Sequence, residues 1–441
     1  MTDFSQHFTY GKLIKHSISP IIMMVFTSIY GVIDGLFLSN FAGKTAFAAV
    51  NFILPYLMLF GGIGFMFGTG GSALIAKTLG EGRNKKANEI FSSMFVASLI
   101  CGISFTIIGQ LLLKPVSIAL GAENQLLEDC LIYGRIYLLG VPACIIQYEF
   151  QNLYTTAGKA NLGLYATIAS GVSNIILDAI FVAGFSWGLR GAAFATIISQ
   201  WVGGIIPMIY FGIKNSSMLR FVKAKFDFES LFKICSNGFS EVVNNISISI
   251  VGMLYNVQLL KYGGDDGIAV YGILMYVGFL FTAIFWGYIV GVSPLISYQY
   301  GAENTTELKS LVRKSLVIMG ATSAVMFLSA EIFAKPISEM FVSYDEHLMD
   351  MTLRGFFIFS FNFLFAGYSI FGSSFFTALN NGIISALISF LRTFVLQIAA
   401  ILILPLIWGL DGVWISLVVS EFLTTLVSFI FIIACQKKYQ Y

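Results

Sequence analysis

Four short motifs return at one fixed interval along this 441-residue chain, and the interval is half its length. Lys114-Pro115-x-Ser117 comes back as Lys335-Pro336-x-Ser338, and Trp187-Gly188-Leu189-x-Gly191 as Trp408-Gly409-Leu410-x-Gly412. Gly43 and Gly80 have counterparts in Gly264 and Gly301. Each pair lies 221 residues apart, the mark of a tandem duplication with almost no net insertion between the copies. Whatever one half folds into, the other must fold into as well.

Both halves are too apolar for water. Hydrophobic residues make up 57% of the chain and charged residues 11%, against about 25% charged in a soluble domain. Lipid must therefore be the solvent. Twelve runs long enough to cross a bilayer are predicted, near 13–39, 47–76, 91–113, 131–157, 161–185, 190–213, 234–260, 268–297, 311–333, 352–378, 383–407 and 411–435. The expected architecture is an all-α integral membrane protein. Residues 1–213 form a first lobe of six helices, 214–233 a basic linker, and 234–441 a second lobe of six. Six spans is an even number, so both copies enter the membrane in the same direction, and a pseudo-two-fold axis along the membrane normal relates them.

With both termini and the linker in the cytoplasm, 17 of the 25 Lys and Arg residues fall on the inner side. That orientation, in the cell membrane, is the one expected. The first apolar run is too long for a cleaved leader. A net charge of +2 gives no reason to expect nucleic acid. The scattered cysteines read as small hydrophobes, with no disulfide framework. No phosphate-binding Gly-x-x-x-x-Gly-Lys-Ser/Thr loop and no His-Glu-x-x-His metal motif is present, so neither an enzyme nor a cofactor is expected. A few acids remain inside the predicted helices. A duplicated, buried chain of this kind reads as a secondary transporter.

Those acids are Asp34, Glu149, Asp178, Glu241 and Glu421. A charged acid at mid-membrane costs about 2.5–3.5 kcal/mol even on lenient scales, so a proton, a bound cation or a polar partner must offset it. Asp34 in span 1, Asp178 with Asn174 one turn earlier in span 5, and Thr196 in span 6 can converge as an oxygen-rich pocket for H⁺ or Na⁺. The plainer reading is a hydrogen-bond cluster pinning three helices. Glu241 neighbours Asn244 and Asn245 and is a candidate partner for a cationic substrate; Glu149, between Gln147 and Gln151, is a second candidate polar site. Arg392 is the one deep base and is expected in a structural ion pair. Pro20, fourteen residues before Asp34, marks either a hinge or a static kink. The ten aromatic residues of span 10 go right round a helix, so most must face lipid or core and only a minority a cavity.

The chain resembles the multidrug and toxic compound extrusion (MATE) family along nearly its whole length. The resemblance rests on two lobes of six spans, Pro20…Asp34 in span 1, and Gly70–Gly80 leading into a basic loop. Asn174-x-x-x-Asp178, followed by the Trp187–Gly191 turn and Thr196, completes it. It implies an antiporter that expels small organic, often cationic and amphipathic compounds in exchange for H⁺ or Na⁺; no obligate protein partner is evident in the sequence. It further implies a first-lobe cation site at Asp34, Asn174, Asp178 and Thr196, bending of span 1 at Pro20, and a role for the acid at Glu241 in another branch. That branch carries an acid in span 10 where this chain has Phe and Tyr. The alternative is a flippase for lipid-linked sugars from the same superfamily.

Overall fold

The computed structural model describes residues 4–223, 225–343 and 345–441. Among these every regular element is a helix. The first lobe comprises α1 (Tyr10–Ala42), α2 (Thr45–Gly80), α3 (Asn84–Ala119), α4, α5 (Ala160–Gly184) and α6 (Gly188–Gly212). α4 is bent by 59° between Asn124–Leu138 and Val141–Thr156. Gly140 and Pro142 explain the break: the proline lacks an N–H and is tolerated in a first helical turn. The second lobe repeats the plan. Helical structure over Phe228–Gly301 divides at Gly264 into α7 (228–263) and α8 (265–301), and that over Gly382–Tyr439 divides at Gly409 into α11 (382–408) and α12 (410–439). α9 is Thr305–Val342, and α10 bends by 44° between Glu346–Phe359 and Asn362–Ala378. Twelve crossings result.

The recurring glycines now have a physical reason. Gly43 and Gly264 (φ +94° and +60°) turn the chain after the first helix of each lobe, and Gly188 and Gly409 (φ +54° and +57°) turn it before the last. Side chains rarely adopt those angles. Gly80 and Gly301 serve close approach instead. A Cβ on Gly80 would overlap the carbonyl of Tyr298, and one on Gly301 the carbonyl of Lys77. Each contact is the other's counterpart at the repeat spacing, so α2 and α8 cross on the pseudo-two-fold axis. Gly70 and Gly238 join α2 to α7, and Gly287 and Gly291 join α8 to Pro20, Ile21 and Ser17 of α1. Gly64 and Gly68, also on α2 but two residues out of step with the repeat spacing, pack instead on Ile145 and Glu149 of α4.

All the contacts between the lobes just described lie in the half of the molecule that carries the linker. Towards the other end the glycines make no such close approaches: a Cβ on Gly31, Gly35, Gly252 or Gly272 would meet nothing within 4 Å. The two crossing segments reinforce the closed end. Residues 4–8, ahead of α1, lie on the second lobe, where the Glu307 carboxylate takes the His7 ring nitrogen (2.6 Å) and the Phe8 N–H (2.9 Å). Lys314 donates to the Phe8 carbonyl (2.5 Å) and Gln299 to that of Phe4 (2.6 Å). The linker lies on the first lobe. There the N–H groups of Arg220, Val222 and Asp227 donate to Asn88, Ser92 and Ser93, and Lys86 pairs with Asp227 at 2.5 Å. The Lys86 ammonium, with the Ser230 N–H, holds the Asp227 carboxyl down at about 2.

Span 10 corrects one expectation. Phe356, Phe359, Phe363, Phe371, Phe375 and Phe376 are buried in the second lobe's core, and no aromatic residue of α10 lines the cavity between the lobes.

Candidate functional site

Asp34 and Asp178 face each other inside the first lobe. α1 and α5 pack closely enough that a Cβ on Gly171 would crowd Phe26 and Tyr30. The two carboxylates lie near enough to share a proton, and the Asn174 amide lies beside Asp34. Asp178 is 0% exposed and Asn174 2%. Asp34 Oδ1 and both Asp178 oxygens are buried without a hydrogen-bond partner, and no basic side chain pairs with either acid among the described residues. Asp34 as a whole is only partly buried, but shielded carboxylate oxygens such as these are costly unless something positive lies between them. The donor set, two carboxylates and an amide, suits a proton or a small hard cation.

Both acids stand where the helix changes its winding. Leu38–Ala42 and Ala179–Gly184 are π-helical, beginning four residues after Asp34 and one after Asp178. Such segments free backbone groups and are common at functional sites. The third π segment, Leu391–Val395, contains Arg392.

Thr196 is close by but turned away. Its hydroxyl donates to the Ala192 carbonyl one turn earlier at 2.9 Å, and Tyr133 lies beside Thr196 and within electrostatic range of Asp34 and Asp178. Sequence reasoning passed over Tyr133, which is 3% exposed on α4. The signal was available: Tyr133 and Tyr137 are one turn apart, and the second meets Gln200 of α6 at 3.3 Å.

Glu241 belongs to a different space. A cavity of about 310 Å³ lies between the lobes, and Glu241, Asn244 and Asn245 on α7 form part of its wall. The remainder is mostly apolar or hydroxylic, including Met24, Phe65, Thr69, Phe279 and Trp286. Ala73, Ser293 and Ala378 line it next to the closed end. The size and mixture suit a small organic molecule, and Glu241 is the one formal charge among the lining residues.

Glu149 does not reach that cavity. It is 0% exposed inside the first lobe, beside Ser98, and neither of its oxygens has a hydrogen-bond partner. Pro20 lies within unbroken helix and is buried against Gly287 of α8. Arg392 is paired with Glu421, Nη2 to Oε1 at 2.8 Å.

The profile of the MatE family matches this chain twice, over residues 20–180 and 242–403, once in each half of the repeat. Multidrug export protein MepA of Staphylococcus haemolyticus is 25% identical over 428 residues, covering 95% of this chain and 92% of that protein. MepA of Staphylococcus aureus strain MRSA252 is 24% identical over 438 residues, covering 97% and 94%. A solved structure described as the outward-facing conformation of a multidrug resistance MATE family transporter of the MOP superfamily aligns with a TM-score of 0.93 at 22% identity, over 98% of this chain and 97% of that one. A MOP superfamily transporter from Pyrococcus furiosus, described as having a binding pocket of reverse polarity, aligns with a TM-score of 0.90 at 22% identity, over 99% and 98%.

Proposed function

From the premise that this chain belongs to the MatE family, and so is a membrane transporter rather than an enzyme, we propose that it exports amphipathic organic cations from the cell in exchange for H⁺ or Na⁺. Export of several drugs is what the names of its MepA relatives record of those proteins. The observation that carries the reading for this chain is the carboxylate pair. Asp34 and Asp178 are held together without a base, in a lobe whose inner face borders a mostly apolar cavity with one acid.

The closed end, with its linker and most of the basic residues, is the cytoplasmic end. The state described is therefore open to the outside. In that state a proton or Na⁺ enters the first lobe and lowers the charge of the Asp34–Asp178 pair from −2 to −1. A cationic substrate leaves Glu241, and the lobes rock to open the glycine-lined contact. Coupling follows if the ion favours one arrangement of the lobes and the substrate the other. Pro20 lies within the inter-lobe contact itself, against Gly287, on the same helix as Asp34 and fourteen residues before it, so a change at the acid can reach that contact along α1. Asn174 and Tyr133 position the acids, and Thr196 positions Tyr133.

Reconstitution in vesicles tests this. A cationic dye should move against its gradient when a proton or sodium gradient is imposed, and Asp34→Asn should abolish that movement while the protein stays folded. Equal dye movement by Asp34→Asn and the native chain would sink the proposal.

A further inference from the structure

The second lobe holds a charge cluster that the coupling scheme leaves unused. Glu421 on α12 grips Arg392 on α11 through two guanidinium nitrogens: Nε to Oε1 at 3.0 Å and to Oε2 at 3.2 Å, and Nη2 to Oε1 at 2.8 Å. The Ser369 hydroxyl donates to Oε2 as well. The two side chains are 15% and 5% exposed. Nη1 is left with no hydrogen-bond partner among the described residues.

Glu241 lies nearby. α7 and α11 run side by side in the same direction, with Gly382 against Ser236 and Asn237 and the Ser385 and Ser240 hydroxyls 3.2 Å apart. Arg392 is two turns beyond Ser385. Helical side chains lean back towards the N-terminus of their own helix, so the guanidinium hangs towards the level of Glu241 and within range of its charge. A long, flexible base thus grips one carboxylate and lies within electrostatic range of a second. One is Glu421 behind it, the other the single acid on the cavity wall.

We propose that Glu421 is a specificity-determining residue. By holding Arg392 in a two-pronged pair, it keeps the guanidinium from neutralising Glu241, and so reserves that carboxylate for an organic cation. The three groups carry a net charge of −1 as they stand. Without the Glu421 charge they sum to zero, and Arg392 turns to Glu241 and occupies it as an internal competitor of the substrate. Attraction between such groups is strong in a setting of low dielectric. The inference rests on Glu241 being the acid that meets the substrate.

The test is binding of tetraphenylphosphonium, a monovalent cation, and of the neutral dye Nile red to the purified full chain in detergent. Glu421→Gln should weaken tetraphenylphosphonium by about tenfold or more, equivalent to about 1.4 kcal/mol, and leave Nile red within about twofold. The double variant Arg392→Gln with Glu421→Gln should recover cation binding to within about threefold of the native chain. Equal weakening of both ligands by Glu421→Gln, or no recovery in the double variant, would assign the pair to helix packing alone. Should Glu421→Gln fail to give a thermal unfolding transition, Arg392→Gln decides the matter. It leaves Glu241 unopposed and should bind the cation more tightly; weaker binding overturns the proposal. Glu241→Gln separates the two levels. If it binds the cation as the native chain does, the reading of Glu241 as the substrate's acid fails. If it binds weakly while Glu421→Gln is unaffected, only the role of Glu421 fails.

Discussion

The two lobes share a backbone and differ in where they keep charge. At the repeat spacing, Tyr255 stands where the first lobe has Asp34, Val395 for Asn174, Ala399 for Asp178 and Leu417 for Thr196. The Tyr255 hydroxyl meets Ser416 at 2.8 Å, and its ring stacks on Tyr271 at 5.3 Å. The place that holds two unpaired carboxylates in one lobe is thus packed and satisfied in the other. The converse also holds: Arg392 and Glu421 replace Gly171 and Gln200. Duplication preserved the turning glycines and the close crossings, because either lobe fails without them. It left polar side chains free to diverge. One lobe thereby acquired an arrangement suited to an ion, and the other an acid facing the cavity between them.

The largest expected effect comes from the acids. Asp178→Asn should lower gradient-driven efflux on the order of 100-fold, the upper end of ordinary coupling energies, read as dye transport in vesicles. Placing acids in the second lobe instead, as Tyr255→Asp with Ala399→Asp, should not restore coupling to Asp34→Asn, because α7 and α11 lack an Asn174 equivalent. Restoration would break the comparison. Next come the paired glycines. Gly80→Ala and Gly301→Ala should destabilise the closed end by similar amounts, about 1–3 kcal/mol each, seen as greater labelling of cysteines placed at Ser72 or Ser293 from the linker side. Unequal effects would mean that the crossing is not symmetric in energy.

Tyr133→Phe should alter ion affinity only several-fold, since one hydrogen bond is worth about 1 kcal/mol net. The smallest effect belongs to the Lys86–Asp227 pair, which is partly exposed and worth about 0–1 kcal/mol. The Asp227 carboxyl is depressed to about 2. The stability it contributes is therefore fully present above the ordinary aspartate value of about 3.9, and is lost as pH falls through about 2. Lys86→Ala should thus loosen the closed end equally at pH 6 and pH 8, measured by the same labelling. A difference between those two pH values would assign the tie to another group.

Much of the architecture was legible because hydrophobic length and repeat spacing are local properties. The twelve crossings and the turning glycines follow from them. Asp34, Asn174 and Asp178 could be named because an acid in lipid demands an explanation. What escaped depends on geometry that hydropathy does not encode. A π segment uses the same residue types as an α-helix, so the altered winding beside Asp34 and Asp178 left no compositional trace. The position of Tyr133 depends on the bend in α4, set by Gly140 and Pro142, which turns one arm of that helix inward. The span 10 phenylalanines were misjudged as possible cavity lining because their even spread round a helix does not say which arc meets a neighbouring helix. The linker-end clasps join residues about 300 apart in one case, His7 with Glu307, and about 140 in the other, Lys86 with Asp227.

Those clasps bear on what would happen to a severed chain. The segment ahead of α1 grips the second lobe, and the stretch ahead of α7 grips the first, so each half carries a hook shaped for its sibling. Two polypeptides divided just ahead of residue 214 and made in the same cell should find each other and rebuild the working pair.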